Sequence, residues 1–225
     1  MPFRLGANRI GRLVVGAIPL NIPTDGLYAW WDFNNPSSYT SGSSTVTDLS
    51  GNGNNGVVGS VITTALDGSV RYIQGDNATS GDTNSIYLAQ DVSTDLATAS
   101  FVLVVKIPSA SEQVWLKGKD DLNSYIAQNA TGNFYYANMG TPTVYSNTTV
   151  DSTVVEPTDG WKLRTWTGLN LSNAVYVNGF NIGGYQAGWV FEGQVVAALM
   201  YNKVLSAGEI SQIYTAYDSV IDLDT

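Results

Sequence analysis

Three groups of residues in this 225-residue chain carry chemistry by type and spacing. The first is an oxygen-rich turn in which Asp48, Asn52 and Asn54 offer the hard donors that calcium takes, with Asp25 and Asp32 as further carboxylates. An EF-hand loop is excluded, because the twelfth position counted from Asp48 is Gly59 rather than a bidentate Glu. The competing reading is local and is preferred: Asp and Asn side chains cap turns by bonding to nearby backbone. The second group is aromatic. Trp115, Tyr125, Tyr135, Trp166, Tyr185 and Trp189 lie near Asn123, Gln128 and Asn138, the mixture of flat faces and amides that a glycan site uses. Core packing is the commoner fate of such aromatics. The third group is Arg4, Arg9 and Arg12, which give the first twelve residues a charge of +3 and leave −12 for the rest.

Other chemistries are closed by composition. The chain has no His and no Cys, so it holds no Ser-His-Asp triad, no Cys-His pair, no disulfide and no thiolate zinc site. A net charge of −9 repels phosphates and anionic lipid, which argues against nucleic acid and membrane-surface partners. No apolar run approaches the ~20 residues of a membrane span. The run Leu13 to Leu20 is broken by Gly16 and Pro19 and lacks a small-x-small cleavage site, so no signal peptide is expected. The segment Arg4 to Gly16 reads instead as two short extended stretches with a turn near Ala7-Asn8.

The elements that must position these residues are short strands. Runs at Leu27–Phe33, Thr45–Leu49, Val70–Gln74, Ser85–Ala89, Ser100–Ile107 and Gln113–Lys117 are separated by Gly, Asn, Asp, Ser and Pro. The series continues with Ser124–Gln128, Asn133–Ala137, Thr143–Tyr145, Trp161–Gly168, Ala174–Val177 and Gln194–Tyr201. Phe101–Val105 and Val195–Met200 lack polar alternation, which predicts central strands covered on both faces. Ser206 and Glu209 form an S-x-x-E capping box ahead of Ile210, Ile213, Tyr214 and Tyr217, whose spacing predicts a helix with its apolar face on the sheet. Gly179 to Gly193, with Phe180, Tyr185, Trp189 and Phe191, reads as an aromatic loop that either meets a partner or folds back over a strand. The expected fold is an all-β, two-sheet antiparallel sandwich with one C-terminal helix.

Four segments in order resemble the laminin-G-like (concanavalin A-like) jelly-roll family. They are Gly26 to Phe33 with the turn Asp48-Leu49-Ser50-Gly51-Asn52-Gly53-Asn54-Asn55-Gly56; Ser100 to Lys106 with Trp115 to Gly118; Gly160-Trp161 with Val175-Tyr176-Val177-Asn178-Gly179; and Gly193 through Tyr201 to Ile210 and Tyr214. The resemblance implies a jelly roll over residues 23–217, with Trp30, Trp31 and Trp161 in its core and a calcium ion at the rim in some members. It also raises glycoside hydrolysis, which in related sandwiches uses an E-x-D-x-x-E strand. Two residues after Glu112, Glu156, Glu192 and Glu209 stand Val114, Thr158, Gln194 and Ser211, so the motif is missing and a non-enzymatic protein is expected. The opening Arg4-Leu5-Gly6-Ala7-Asn8-Arg9-Ile10-Gly11-Arg12-Leu13 resembles the start of bacteriophage virion proteins. It implies a basic anchoring arm over residues 1–22, with other virion proteins or further copies of the chain as partners and a host-surface glycan as ligand. The acidic residues 218–225 read as a tail. A secreted or cell-surface lectin-like module is the alternative.

Overall fold

The computed structural model describes residues 20–75, 82–107, 113–119, 124–129, 134–151, 160–172, 176, 178–184 and 193–223. Their strands, in chain order, begin with β1 (Leu27–Asp32), β2 (Thr45–Val46), β3 (Gly56–Val58), β4 (Thr63–Asp67) and β5 (Val70–Gln74). Next come β6 (Ser85–Leu88), β7 (Ala99–Lys106), β8 (Gln113–Gly118), β9 (Tyr125–Gln128) and β10 (Phe134–Ala137). The last are β11 (Thr143–Ser146), β12 (Thr149–Val150), β13 (Lys162–Leu169), β14 (Phe180–Gly183) and β15 (Gln194–Tyr201), followed by helix α1 (Ala207–Ile221). They form a jelly-roll sandwich of two antiparallel sheets. The first runs β12-β11-β13-β7-β15-β5-β4, with β1 also pairing to β15; the second runs β10-β9-β8-β14-β6-β3-β2.

The two strands without polar alternation, β7 and β15, lie side by side in the middle of the first sheet. Their residues divide between two cores. Phe101, Leu103, Val105, Val195, Ala198 and Met200 face the second sheet, while Val102, Val104, Val196, Ala197 and Leu199 face α1. A bulge between Val195 and Ala197 lets Val196 and Ala197 share one face. Burial on both sides is why neither strand could carry the polar half of an alternating pattern.

Helix α1 starts at the expected box. The Ser206 hydroxyl accepts from the Glu209 N–H and the Glu209 carboxylate accepts from the Ser206 N–H. Lys203 joins Glu209 at 2.7 Å, and the Glu209 carboxyl is pushed down to about 2, first by Lys203 and then by the Ser206 N–H. Replacing Ser206 by Ala is expected to lower stability by about 1 kcal/mol through loss of the cap, read as a fall in denaturation midpoint with an unchanged slope.

Two expected boundaries move. Asp218 lies within α1, and Asp222 caps the helix in the left-handed region at φ 67°. Leu223 is buried and pairs with Trp161 in a parallel bridge. Residues 218–223 therefore belong to the domain rather than to a tail. At the other end, Ile22 is buried in the helix-side core, Leu20 packs against it, and Gln212 Nε2 donates to the Asn21 carbonyl at 3.2 Å. The domain thus begins by Leu20, not at residue 23, and the proposed arm shortens to residues 1–19. Among the described residues no helix is long and apolar enough to cross a membrane.

Candidate binding face of the second sheet

The oxygen-rich turn is knotted onto β1. Asp48 Oδ1 accepts from the Trp30 and Ser50 N–H groups, both at 2.9 Å, while Oδ2 accepts from the Ser50 hydroxyl at 2.6 Å and the Asn54 N–H at 3.0 Å. Asn52 and Asn54 turn their amide nitrogens to the Tyr28 carbonyl, and Asn54 Oδ1 accepts from Gln90 at 2.6 Å. The Asp48 oxygens are thus engaged within the turn and by β1, Asn54 bonds to Tyr28 and Gln90, and Asn52 gives its amide nitrogen to the carbonyls of β1, the local bonding that such turns use. Asp32 lies elsewhere, buried under α1.

Trp115 and Trp166 are corrected from ligand platforms to core. Each is 1% exposed, between the sheets. Trp166 stacks on Phe101 at 5.6 Å and tilts against Trp115 at 6.3 Å. The bulge between Val114 and Leu116 turns both Trp115 and Leu116 inward, so strict alternation along β8 mislocates Trp115. Tyr136, also inward, packs on the same cluster; burial pushes its hydroxyl up to about 12, opposed by a hydrogen bond with Trp166. Gln128 is buried on that inner face too. Tyr185, Trp189, Asn123, Arg4, Arg9 and Arg12 lie outside the described residues.

Tyr125 and Tyr135 have a different fate. The register places Ala137, Tyr125, Lys117, Asn181, Tyr87, Val57 and Thr45 directly opposite one another across β10, β9, β8, β14, β6, β3 and β2. Directly paired residues share a face, and this rung shares the face turned away from the first sheet, since Ile126, Leu116, Phe180 and Ile86 beside it belong to the inter-sheet core. Tyr135, paired with Ala127, is on the same face one rung along.

The rung has a polar middle and aromatic flanks. Lys117 and Asn181 are buried. The Lys117 ammonium donates to the Lys119 carbonyl at 2.9 Å, and the Asn181 amide donates to the Ser85 hydroxyl at 3.1 Å. Tyr135 is 46% exposed, Tyr125 and Tyr87 are half-buried, and the Lys119 ammonium lies 5.1 Å from the Tyr87 ring centre. Aromatic surface is therefore accessible at Tyr135 and in part at Tyr125 and Tyr87, the kind that stacks on the C–H face of a sugar, while Lys117 at 3% and Asn181 at 0% exposure are covered and hold the face together from within. Lys117, Asn181 and Tyr87 were not singled out from the sequence. Only the register brings together residues from strands this far apart. The seven residues of the rung include no carboxylate.

The expected aromatic loop 179–193 begins with a strand. Phe180–Gly183 is buried, pairs with β6 and β8, and carries Asn181 into the rung. Of the expected strand 174–177 only Tyr176 is described; its carbonyl accepts from the Val92 and Gly179 N–H groups, a turn rather than a ladder.

No protein-family model and no curated protein matches the chain. Solved structures do. The binding domain of Paraclostridial Mosquitocidal Protein 1 aligns with a TM-score of 0.56 at 13% identity, over 86% of this chain and 53% of that one. Trypanosoma rangeli sialidase in complex with sialic acid aligns at 0.53 and 13% identity, over 88% of this chain and 34% of the sialidase. Domain 4 of AbnA, a GH43 extracellular arabinanase from Geobacillus stearothermophilus, in complex with arabinotriose, aligns at 0.51 and 15% identity, over 84% of this chain and 98% of that one. The likeness is one of fold. The chain spans about a third of the sialidase's length.

Proposed function

We propose that this chain is a non-enzymatic carbohydrate-binding module that meets its ligand on the outer face of the second sheet. The observation that carries the reading is the set of partly exposed tyrosines on one face: Tyr125 and Tyr87 in one rung, spaced by the buried Lys117 and Asn181, with Tyr135 beside them. It is supported by the likeness to a toxin's binding domain and to an arabinanase domain solved with arabinotriose. The missing E-x-D-x-x-E strand and the rung's lack of carboxylates support binding without turnover.

The finer reading places the module on a phage virion surface. There the basic N-terminal residues 1–19 dock to other virion proteins, copies of the chain form an array, and the sandwich faces a host-surface glycan. The charge contrast between the first twelve residues and the rest supports an arm with a separate role. A second reading, a secreted or cell-surface lectin-like module of a bacterium, is favoured by the likeness to a domain of an extracellular arabinanase.

A glycan array probed with the full chain tests the function, together with deletion of residues 1–19. Selective retention on the array without release of reducing sugar is the expected result; binding to no glycan, or turnover abolished by one carboxylate substitution, overturns it. The deletion is expected to leave a folded, sugar-binding domain that no longer joins the particle. Normal assembly of the shortened chain overturns the arm.

A further inference from the structure

Among the described residues the edges of the two sheets are short or covered, with one exception. β12 and β2 are two residues long and β10 is four. The free side of β1 is clamped by the oxygen-rich turn, where Asp48 accepts the Trp30 N–H and the Leu49 N–H donates to the Trp30 carbonyl. The exception is β4. It has five residues, pairs only with β5, and carries none of the lysines, prolines or bulges that keep an edge from pairing with another chain. Its Leu66 is 64% exposed.

The register shows which backbone groups of β4 are open. Gly68, at φ +60°, and Ser69 form a two-residue turn, so Asp67 and Val70 close it and exchange both their hydrogen bonds. Bonded and non-bonded pairs alternate along an antiparallel ladder. Ala65 with Tyr72 and Thr63 with Gln74 are therefore bonded, while Leu66 with Arg71 and Thr64 with Ile73 are not. The Arg71 N–H agrees, since it donates away from β4 to Asn34 Oδ1 at 2.9 Å. The N–H and C=O groups of Thr64 and Leu66 thus point out of the edge, and no described residue bonds to them.

This edge is self-complementary. Two β4 strands laid antiparallel about a two-fold axis at Ala65 set Thr64 of each opposite Leu66 of the other, and those two pairs make four hydrogen bonds. At the centre Ala65 meets Ala65 in the closer, non-bonded pair, where small side chains fit. Thr63 meets Asp67, so no like charges stand opposite one another. The two Leu66 side chains come within diagonal reach on one face and cover each other.

We propose that β4 pairs with β4 of a second copy and joins the two first sheets into one across that axis. Leu66 shares its face with Arg71 and Ile73, and Ile73 belongs to the inter-sheet core. The axis stands perpendicular to the joined sheet, so both second sheets lie on the same side of it. The tyrosine faces of the two copies then point the same way, which suits bivalent attachment to one glycan-bearing surface. The pairing itself does not depend on the sugar reading. Each copy carries −9, so the dimer is expected to tighten with added salt.

Sedimentation equilibrium of the full chain from micromolar to millimolar concentration tests the pairing, with amide hydrogen exchange at Thr64 and Leu66 read over the same range. A monomer–dimer equilibrium is expected, with exchange at both amides slowing as the dimer fills. Leu66→Lys is expected to weaken the dimer at least about tenfold by placing charge on the edge. Thr64→Pro removes an outward N–H but no β4–β5 bond, and is expected to weaken it while melting curves show the fold kept. A chain that stays monomeric throughout overturns the proposal, as does self-association that neither substitution changes.

Discussion

Replacing Gly179 by Ala is expected to remove about 4 kcal/mol or more of stability, enough to leave many domains of this size largely unfolded. Gly179 holds φ +100°, and a Cβ built there falls 1.7 Å from the Leu88 carbonyl oxygen and 2.8 Å from its carbon. Both costs apply together. The backbone conformation alone is worth about 1–3 kcal/mol for a residue with a side chain, and the clash is with strand backbone rather than with a side chain that can swing away. The Leu88 backbone cannot yield freely, because Leu88 pairs with Phe180 where β6 meets β14. The Gly179 carbonyl also accepts the Lys119 N–H at 3.0 Å, just past β8. Any shift at Gly179 therefore disturbs the strands that carry Tyr87, Asn181 and Lys117 in the rung. Gly53→Ala is the control: φ is +79°, but nothing lies within 4 Å of its Cβ, so it should cost only about 1 kcal/mol. Denaturant unfolding of both variants reads the difference; equal midpoints would refute the clash.

Replacing Asp32 by Asn is expected to stabilise the protein at neutral pH by up to about 3 kcal/mol and to flatten its pH dependence. Asp32 is 4% exposed, at the end of β1 beneath α1. Its Oδ1 accepts from the Asn34 and Asn35 N–H groups, and its Oδ2 accepts from the Tyr217 hydroxyl at 3.4 Å, which in turn accepts from Trp30 Nε1 at 2.9 Å. These bonds favour the charged form, but desolvation outweighs them and pushes the carboxyl from 3.8 up to about 6. Between those values the folded chain binds a proton that the unfolded chain does not, so stability falls as pH rises through this window and levels off above it. A gap of about two pH units corresponds to about 3 kcal/mol. The chain has no His, so no histidine titrates within the same range. Glu209 acts in the opposite sense at lower pH: its stabilisation is present above 4.5 and is lost as pH falls toward about 2. Urea melts at a series of pH values should show the unaltered chain losing stability from about pH 4 to about pH 6, with the slope reduced in the Asn variant. Parallel curves would contradict the assignment.

The parts of the fold legible in the sequence were those written in local chemistry. The capping box at Ser206 and Glu209 needs only three-residue spacing, and the covered strands β7 and β15 announce themselves by lacking polar positions. What was missed lacked such a mark. In β14 an Asn-Gly pair precedes, and a Gly-Gly pair closes, a four-residue strand, so turn chemistry hid it. In β4, Thr63–Asp67 buries no residue fully and shows no alternation. Asp218 and Asp222 read as part of an acidic tail, although Ile221 between them continues the apolar face of the helix. The candidate site divided along the same line. Tyr125 and Tyr135 were visible as aromatics on alternating strands. Lys117 and Asn181 gained meaning only from pairing between distant segments, and the bulge at Trp115 reversed the facing that alternation implies.

The central claim is that sugar is held by the tyrosine face of the second sheet. Isothermal titration of the best neutral glycan from the array, against the unaltered chain and the Tyr125→Ala/Tyr135→Ala double variant, tests it most directly. Loss of stacking on two rings predicts affinity reduced at least about tenfold, or about 1.4 kcal/mol, with the unfolding midpoint of the variant little changed at Tyr135, which is 46% exposed. Undiminished affinity in a folded double variant would contradict it.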